Sequence, residues 1–199
     1  MSDSTGPVIG ILLFPGVEEL DAVGPWEVFS FWAANVASGG PRVLALSPDG
    51  EPVRCAKGLR IAADASYADA PPLDVLVHPG GQGTRPLMGD AAHLDRVREW
   101  RRSTPLMTSV CTGSLVFGAA GLLQGRRATT HWRSLGVLAD SGPAIDVVHD
   151  ARFVDEGDVV TSAGVSAGID MALHLVGRLD SPAAADTVRR GIQYEPARA

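Results

Sequence analysis

The segment Thr108-Ser109-Val110-Cys111-Thr112-Gly113-Ser114 places a thiol where a β-rich run meets the start of a helix. A side chain on such a strand-to-helix elbow stands at the carboxyl edge of a sheet, where open α/β sheets bind ligands. The helix N-terminus brings free N–H groups and positive dipole to the sulfur. Both are expected to lower the thiol pKa, and the thiolate is the nucleophile. Gly113 lets the turn pack closely. The alternative is an inert, buried cysteine, the usual fate of a free thiol. A second group is Glu18-Glu19-Leu20-Asp21, which follows an apolar run and opens a helix. Asp21 is either a helix N-cap or a general acid/base projecting into a site at the sheet edge. Glu18 and Glu19 are read as solvated.

A third feature is Pro79-Gly80-Gly81-Gln82-Gly83. Its glycines allow close backbone approach to a ligand, and their N–H groups are candidate donors to a developing anion. The spacing matches neither a Walker loop nor a dinucleotide fingerprint. Thr112, not histidine, follows Cys111. His131 is expected near a pocket in a structural role, and His93, His149 and His174 at the periphery. Cys55 lies in an expected hairpin and reads as inert. Val23, Trp26 and Trp132 are expected to pack in the core, with pocket lining as the alternative.

These groups need elements to hold them. Val8-Ile9-Gly10-Ile11-Leu12-Leu13-Phe14, Arg42 to Ser47, Leu73 to His78, Leu106 to Val110 and Val159 to Ser162 read as strands, several of them continuous apolar runs as in a parallel sheet. Helices are expected over Ala22 to Ala34, Ala91 to Arg102, Thr112 to Leu123, Thr130 to Leu138, Ser166 to Leu179 and Ser181 to Gln193. Ser181 is the last N-cap and Pro182 its N1 residue. Pro52 to Ile61 reads as a hairpin, and Val147-Val148 and Arg152-Phe153-Val154 as short strands. The alternation implies an α/β fold with a mainly parallel sheet.

The 199 residues suit one domain, with 45% hydrophobic and 20% charged residues. A formal charge of -6 without a basic run excludes the footprint of a nucleic-acid binder. No apolar run approaches the about 20 residues of a membrane-spanning helix. The acidic N-terminus does not read as a signal peptide, and two cysteines are too few for a disulfide scaffold. The expectation is a cytoplasmic protein without a metal-ligand cluster.

Taken together, six stretches resemble the ThiJ/PfpI superfamily from about Ile9 to about Tyr194. They are Leu13-Phe14-Pro15-Gly16-Val17-Glu18-Glu19-Leu20-Asp21, His78-Pro79-Gly80-Gly81, Ser109-Val110-Cys111-Thr112-Gly113-Ser114, Gly118-Ala119-Ala120-Gly121-Leu122-Leu123, Arg127-Ala128-Thr129-Thr130-His131-Trp132 and Ala163-Gly164-Val165-Ser166-Ala167-Gly168-Ile169-Asp170. Within the superfamily the chain is most similar to isonitrile (cyclohexyl-isocyanide) hydratases. The same stretches resemble the N-terminal domain of AraC-type regulators, whose C-terminal DNA-binding portion is expected to be absent here. Many superfamily members carry Glu where Asp21 stands and His after the cysteine, so Asp21 and Thr112 argue against the peptidase and glyoxalase branches.

The resemblance implies a single ThiJ/PfpI-like (class I glutamine amidotransferase-like) domain over 1-199. Its fold would be a flavodoxin-like three-layer sandwich with helices on both faces of the sheet. It further implies Cys111 as nucleophile, Asp21 as acid/base, Thr112 as a pocket residue, and Gly80 and Gly81 lining the site. The implied reaction adds water to an isocyanide, a small-molecule substrate, to give a formamide. No cofactor, no membrane and no nucleic acid is implied, and the implied assembly is a homodimer. The alternative is a ligand- or redox-sensing module without turnover.

Overall fold

The computed structural model describes residues 6–195. Strand β1 (Val8–Leu12) leads into helix α1 (Glu19–Asn35), then β2 (Arg42–Ser47) and the expected hairpin of β3 (Val53–Arg54) and β4 (Arg60–Ile61). β5 (Ala65–Ser66) and β6 (Val75–His78) precede α2 (Thr84–Leu87), α3 (Ala91–Ser103), β7 (Leu106–Val110) and α4 (Gly113–Ala119). β8 (Arg127–Ala128), a 3₁₀ turn at Trp132–Ser134, α5 (Leu135–Asp140) and β9 (Asp146–Val147) form an excursion. The chain then re-enters the sheet as β10 (Phe153–Asp155) and β11 (Val159–Ser162), and continues as α6 (Ala167–Leu179) and α7 (Pro182–Gly191).

The main sheet runs β10-β11-β7-β6-β1-β2-β5, parallel throughout except for the antiparallel edge pair β10–β11. Its strands alternate between two cores. Val75 and Val77 join Val28, Phe29, Met171 and Val176 from α1 and α6 on one face, and Leu76 joins Val97, Trp100 and Leu115 from α3 and α4 on the other. Period-two side-chain direction and burial on both faces explain the continuous apolar runs. The result is a flavodoxin-like three-layer α/β fold.

Several boundaries differ from expectation. Helix α1 begins at Glu19 rather than Ala22, and Pro25 lies in its second turn. A proline there removes the N–H that would bond the Asp21 carbonyl, and packing of the buried Val28, Phe29 and Trp32 outweighs that loss. The Thr112–Leu123 expectation contracts to Gly113–Ala119, and Thr130–Leu138 divides into the 3₁₀ turn and α5. At α7 the Ser181 hydroxyl caps the helix as expected, accepting from the Ala184 N–H at 3.1 Å. The core reading fails for two residues: Val23 is exposed, and Trp132 is 69% exposed. Trp26 packs half-buried against the core.

Candidate active site

Cys111 leaves β7 with φ 56, a left-handed conformation that costs a side-chain-bearing residue on the order of 1–3 kcal/mol. Its surroundings hold it there. The Cys111 N–H donates to the carbonyls of Ser162 and Ala163, both at 3.1 Å. The Cys111 carbonyl accepts from Ser114 Oγ at 3.1 Å and Thr130 Oγ1 at 2.8 Å. A Cβ on Gly113 would lie 2.1 Å from the His78 carbonyl oxygen, so only glycine lets α4 start this close to β6.

Asp21 is no N-cap. Glu18 takes that position, and Asp21 lies in the first turn of α1, fully buried. Its Oδ2 accepts from the Gly80 N–H at 2.9 Å. Its Oδ1 is buried without a hydrogen-bond partner among the described residues. The glycine turn shapes the space between this carboxyl and the elbow. A Cβ on Gly80 would fall 2.5 Å from Thr112 N and 2.8 Å from Asp21 Oδ2. Gly81 has φ +120, and its N–H donates to Thr112 Oγ1 at 2.9 Å. Both glycine N–H groups are therefore engaged within the protein, one on Asp21 and one on Thr112, rather than free for a ligand. The backbone donors acting on the Cys111 sulfur are instead the N–H groups of Thr112 and Val165.

Burial raises Asp21 to about 7, aided by the charge of Glu18, while the Gly80 N–H, the Cys111 thiol and the Val165 N–H oppose the rise. Burial also pushes the Cys111 thiol up to about 12, reinforced by Asp21 and opposed by the Thr112 and Val165 N–H groups. The lowered thiol pKa expected from the sequence is thus corrected. A helix terminus contributes only about 0.3–1 kcal/mol, too little against desolvation and an adjacent carboxyl. The resting site is a protonated thiol beside a carboxyl poised near neutrality.

Cys111 opens on a cavity of about 280 Å³ that is also bordered by Thr112, Val165, His131 and Glu18, while the fully buried Asp21 is not among its lining residues. A neighbouring cavity of about 360 Å³ shares His131 and Val165 and includes Trp132. Glu18 and Glu19 are only partly solvated: their side chains are 17% and 16% exposed, and both pair with the largely exposed Lys57. His131 lies at the cavity as expected, and its Nδ1 accepts from the Arg133 N–H at 3.2 Å, capping the 3₁₀ turn. His93 is not peripheral. It is buried, with Nε2 3.0 Å from Nε2 of the equally buried His78. Burial and the neighbouring His93 depress His78 to about 3, so this pair is neutral packing beneath the glycine turn. Cys55 is buried in the hairpin turn, away from both cavities.

Sequence reasoning missed Val165, Glu18 and Arg85 at the cavity. Val165 was legible only as part of a motif. Its φ of 53, which aims its N–H at the thiol and carboxyl, is unusual for a β-branched residue and has no local sequence signal. Among the described residues no cluster of side chains fits a metal ion, and no helix is long and apolar enough to cross a membrane.

The chain has matches among known proteins. Residues 8–178 match the DJ-1/PfpI family. The chain belongs to the DJ-1/PfpI family. Isonitrile hydratase of Pseudomonas putida is 42% identical over 189 residues, covering 95% of this chain and 79% of that protein. The HTH-type transcriptional regulator CdhR of Pseudomonas aeruginosa is 32% identical, covering 86% of this chain and 50% of the regulator. Among solved structures, a ThiJ/PfpI family protein from Pseudomonas syringae superposes with a TM-score of 0.87 at 33% identity, over 97% of this chain and 77% of that one. Within the DJ-1/PfpI family, then, both enzymes and regulators resemble this chain.

Proposed function

We propose that this protein is an isonitrile hydratase, converting R–N≡C and water to the formamide R–NH–CHO. The observation that carries the reading is the Asp21–Cys111 pair: a carboxyl raised to about 7 beside a protonated thiol. The 42% identity to isonitrile hydratase of Pseudomonas putida supports the choice of substrate class.

The pair supplies each proton the reaction needs. Asp21 takes the thiol proton as Cys111 Sγ bonds to the terminal isocyanide carbon. The same carboxyl returns that proton to the carbon, giving the thioimidate R–N=CH–S. The N–H groups of Thr112 and Val165 stabilise charge on sulfur as it develops. Asp21 then orients water and accepts its proton as oxygen adds to the thioimidate carbon, and passes a proton to nitrogen. The tetrahedral adduct R–NH–CH(OH)–S collapses. Its C–S bond breaks, and the hydroxyl proton returns through Asp21 to the thiol. Acid–base catalysis by one positioned carboxyl contributes ~10²–10⁴-fold. Leu20 and Val23, exposed on α1, support the expected homodimer.

Purified protein mixed with cyclohexyl isocyanide is expected to release N-cyclohexylformamide. Acid quenching within a turnover is expected to trap Cys111 with the mass of one isocyanide added. Formamide release with no such adduct would sink the covalent route, and absence of formamide would sink the reading.

A further inference from the structure

The wall of the Cys111 cavity carries mostly polar and charged side chains. Val165 is its one aliphatic lining residue, and the rest includes Gln82, Arg85, His131 and Arg133. Small-molecule sites are usually lined by hydrophobic and aromatic side chains. A polar substituent on an isocyanide would find partners here that a hydrocarbon leaves unused. At about 280 Å³ the space also suits a short substituent.

Two arginines line this cavity from separate segments. Arg85 stands on α2, behind the glycine turn, and its Nη2 donates to the buried Ser134 Oγ at 3.2 Å. Arg133 stands in the 3₁₀ turn, its guanidinium 4.7 Å from the centre of the exposed Trp132 ring. Neither has a carboxylate partner among the described residues, whereas the nearby anion Glu18 is already paired with Lys57. Burial and the charge of Arg133 together lower His131, so that imidazole is neutral and leaves the anion to the arginines. Guanidinium forks bind carboxylates with two parallel hydrogen bonds, and a fork already held by a neighbour loses less entropy in doing so.

We propose that the substrate is a short isocyano carboxylate, with its carboxylate held by Arg85 and Arg133 at the cavity mouth and its isocyanide carbon at Cys111. This rests on the isonitrile hydratase reading. It makes Arg85 and Arg133 specificity-determining residues.

The test compares isocyanoacetate with its methyl ester in the wild type, in R85Q/R133Q and in R85K/R133K. Circular dichroism monitors folding. Calorimetry of N-formylglycine and its methyl ester measures binding without turnover. The wild type is expected to favour isocyanoacetate by about tenfold or more in kcat/KM, corresponding to 1.4 kcal/mol. R85Q/R133Q should lose that preference through KM, and R85K/R133K should recover part of it. A ratio that is the same in the wild type and R85Q/R133Q, with both substrates hydrated, overturns the carboxylate site and leaves the hydratase reading intact. If neither isocyanide is hydrated, that reading fails and calorimetry decides. Binding of N-formylglycine to the wild type but not to R85Q/R133Q supports the anion site, and equal or absent binding overturns it.

Discussion

Cys111 and Cys55 are buried almost equally, at 6% and 4% exposure. Burial raises both thiols, and acidic neighbours add to both: Asp21 for Cys111, Glu19 and Glu18 for Cys55. Neither is a resting thiolate, so acidity does not separate them. Cys111 stands at a positive-φ elbow on a cavity, with a fully buried carboxyl able to take its proton. Cys55 lies in the β3–β4 turn, its N–H bonded to the Leu59 carbonyl at 2.8 Å, and borders neither cavity. The carboxylates that act on Cys55 both pair with Lys57 at a partly open surface. What distinguishes a working thiol here is a buried base beside it and a route for substrate.

The sharpest way to break this comparison is to remove each thiol. Cys111→Ala is expected to lower isocyanide hydration by ~10³-fold or more. Cys55→Ala should leave the rate within about twofold and cost about 1 kcal/mol of stability in denaturant titrations. Equal losses would erase the distinction.

Removing the base comes next. Asp21→Asn is expected to reduce kcat/KM by ~10²–10³-fold. In the wild type the carboxylate is the active form, so kcat/KM should fall about tenfold per pH unit below about 7 and level off above it. That inflection should vanish in Asp21→Asn. Stability moves the other way. Below the ordinary 3.8, folded and unfolded Asp21 are both protonated. As pH rises from 3.8 to about 7, the unfolded chain ionises while the folded Asp21 stays protonated, and the fold loses on the order of 4 kcal/mol. Asp21→Asn should therefore raise the denaturation midpoint at pH 8 and change it little at pH 3. A variant less stable at pH 8 would contradict the strained carboxyl.

A smaller effect is expected from crowding the space between thiol and base. Gly80→Ala would set a methyl 2.5 Å from Thr112 N and 2.8 Å from Asp21 Oδ2. One of these must shift, and a displacement of about 1 Å in an active site can cost on the order of 10²-fold. A kcat within twofold of wild type would show that the Asp21–Gly80 bond is dispensable for positioning.

Much of the frame is set by local sequence. Apolar runs bounded by Pro15-Gly16 and Pro79-Gly80 mark β1 and β6, the junction after Val110 marks the elbow, and Ser181-Pro182 marks the start of α7. These are signals between chain neighbours, read by period and turn chemistry. The site is decided over longer spans. Asp21 accepts from Gly80 across 59 residues, and the same carboxyl meets Cys111 and Val165. Only that convergence buries Asp21 enough to raise it toward neutrality and turns the expected acidic thiol into a protonated one. It also brings Arg85 and Arg133, from separate segments, to one cavity. Desolvation and charge coupling depend on distance in space, which spacing along the chain does not encode. The sequence by itself thus determined the sheet, the elbow and the residue types available for chemistry. The tertiary structure decided their protonation, their partners and which of two buried cysteines faces a base.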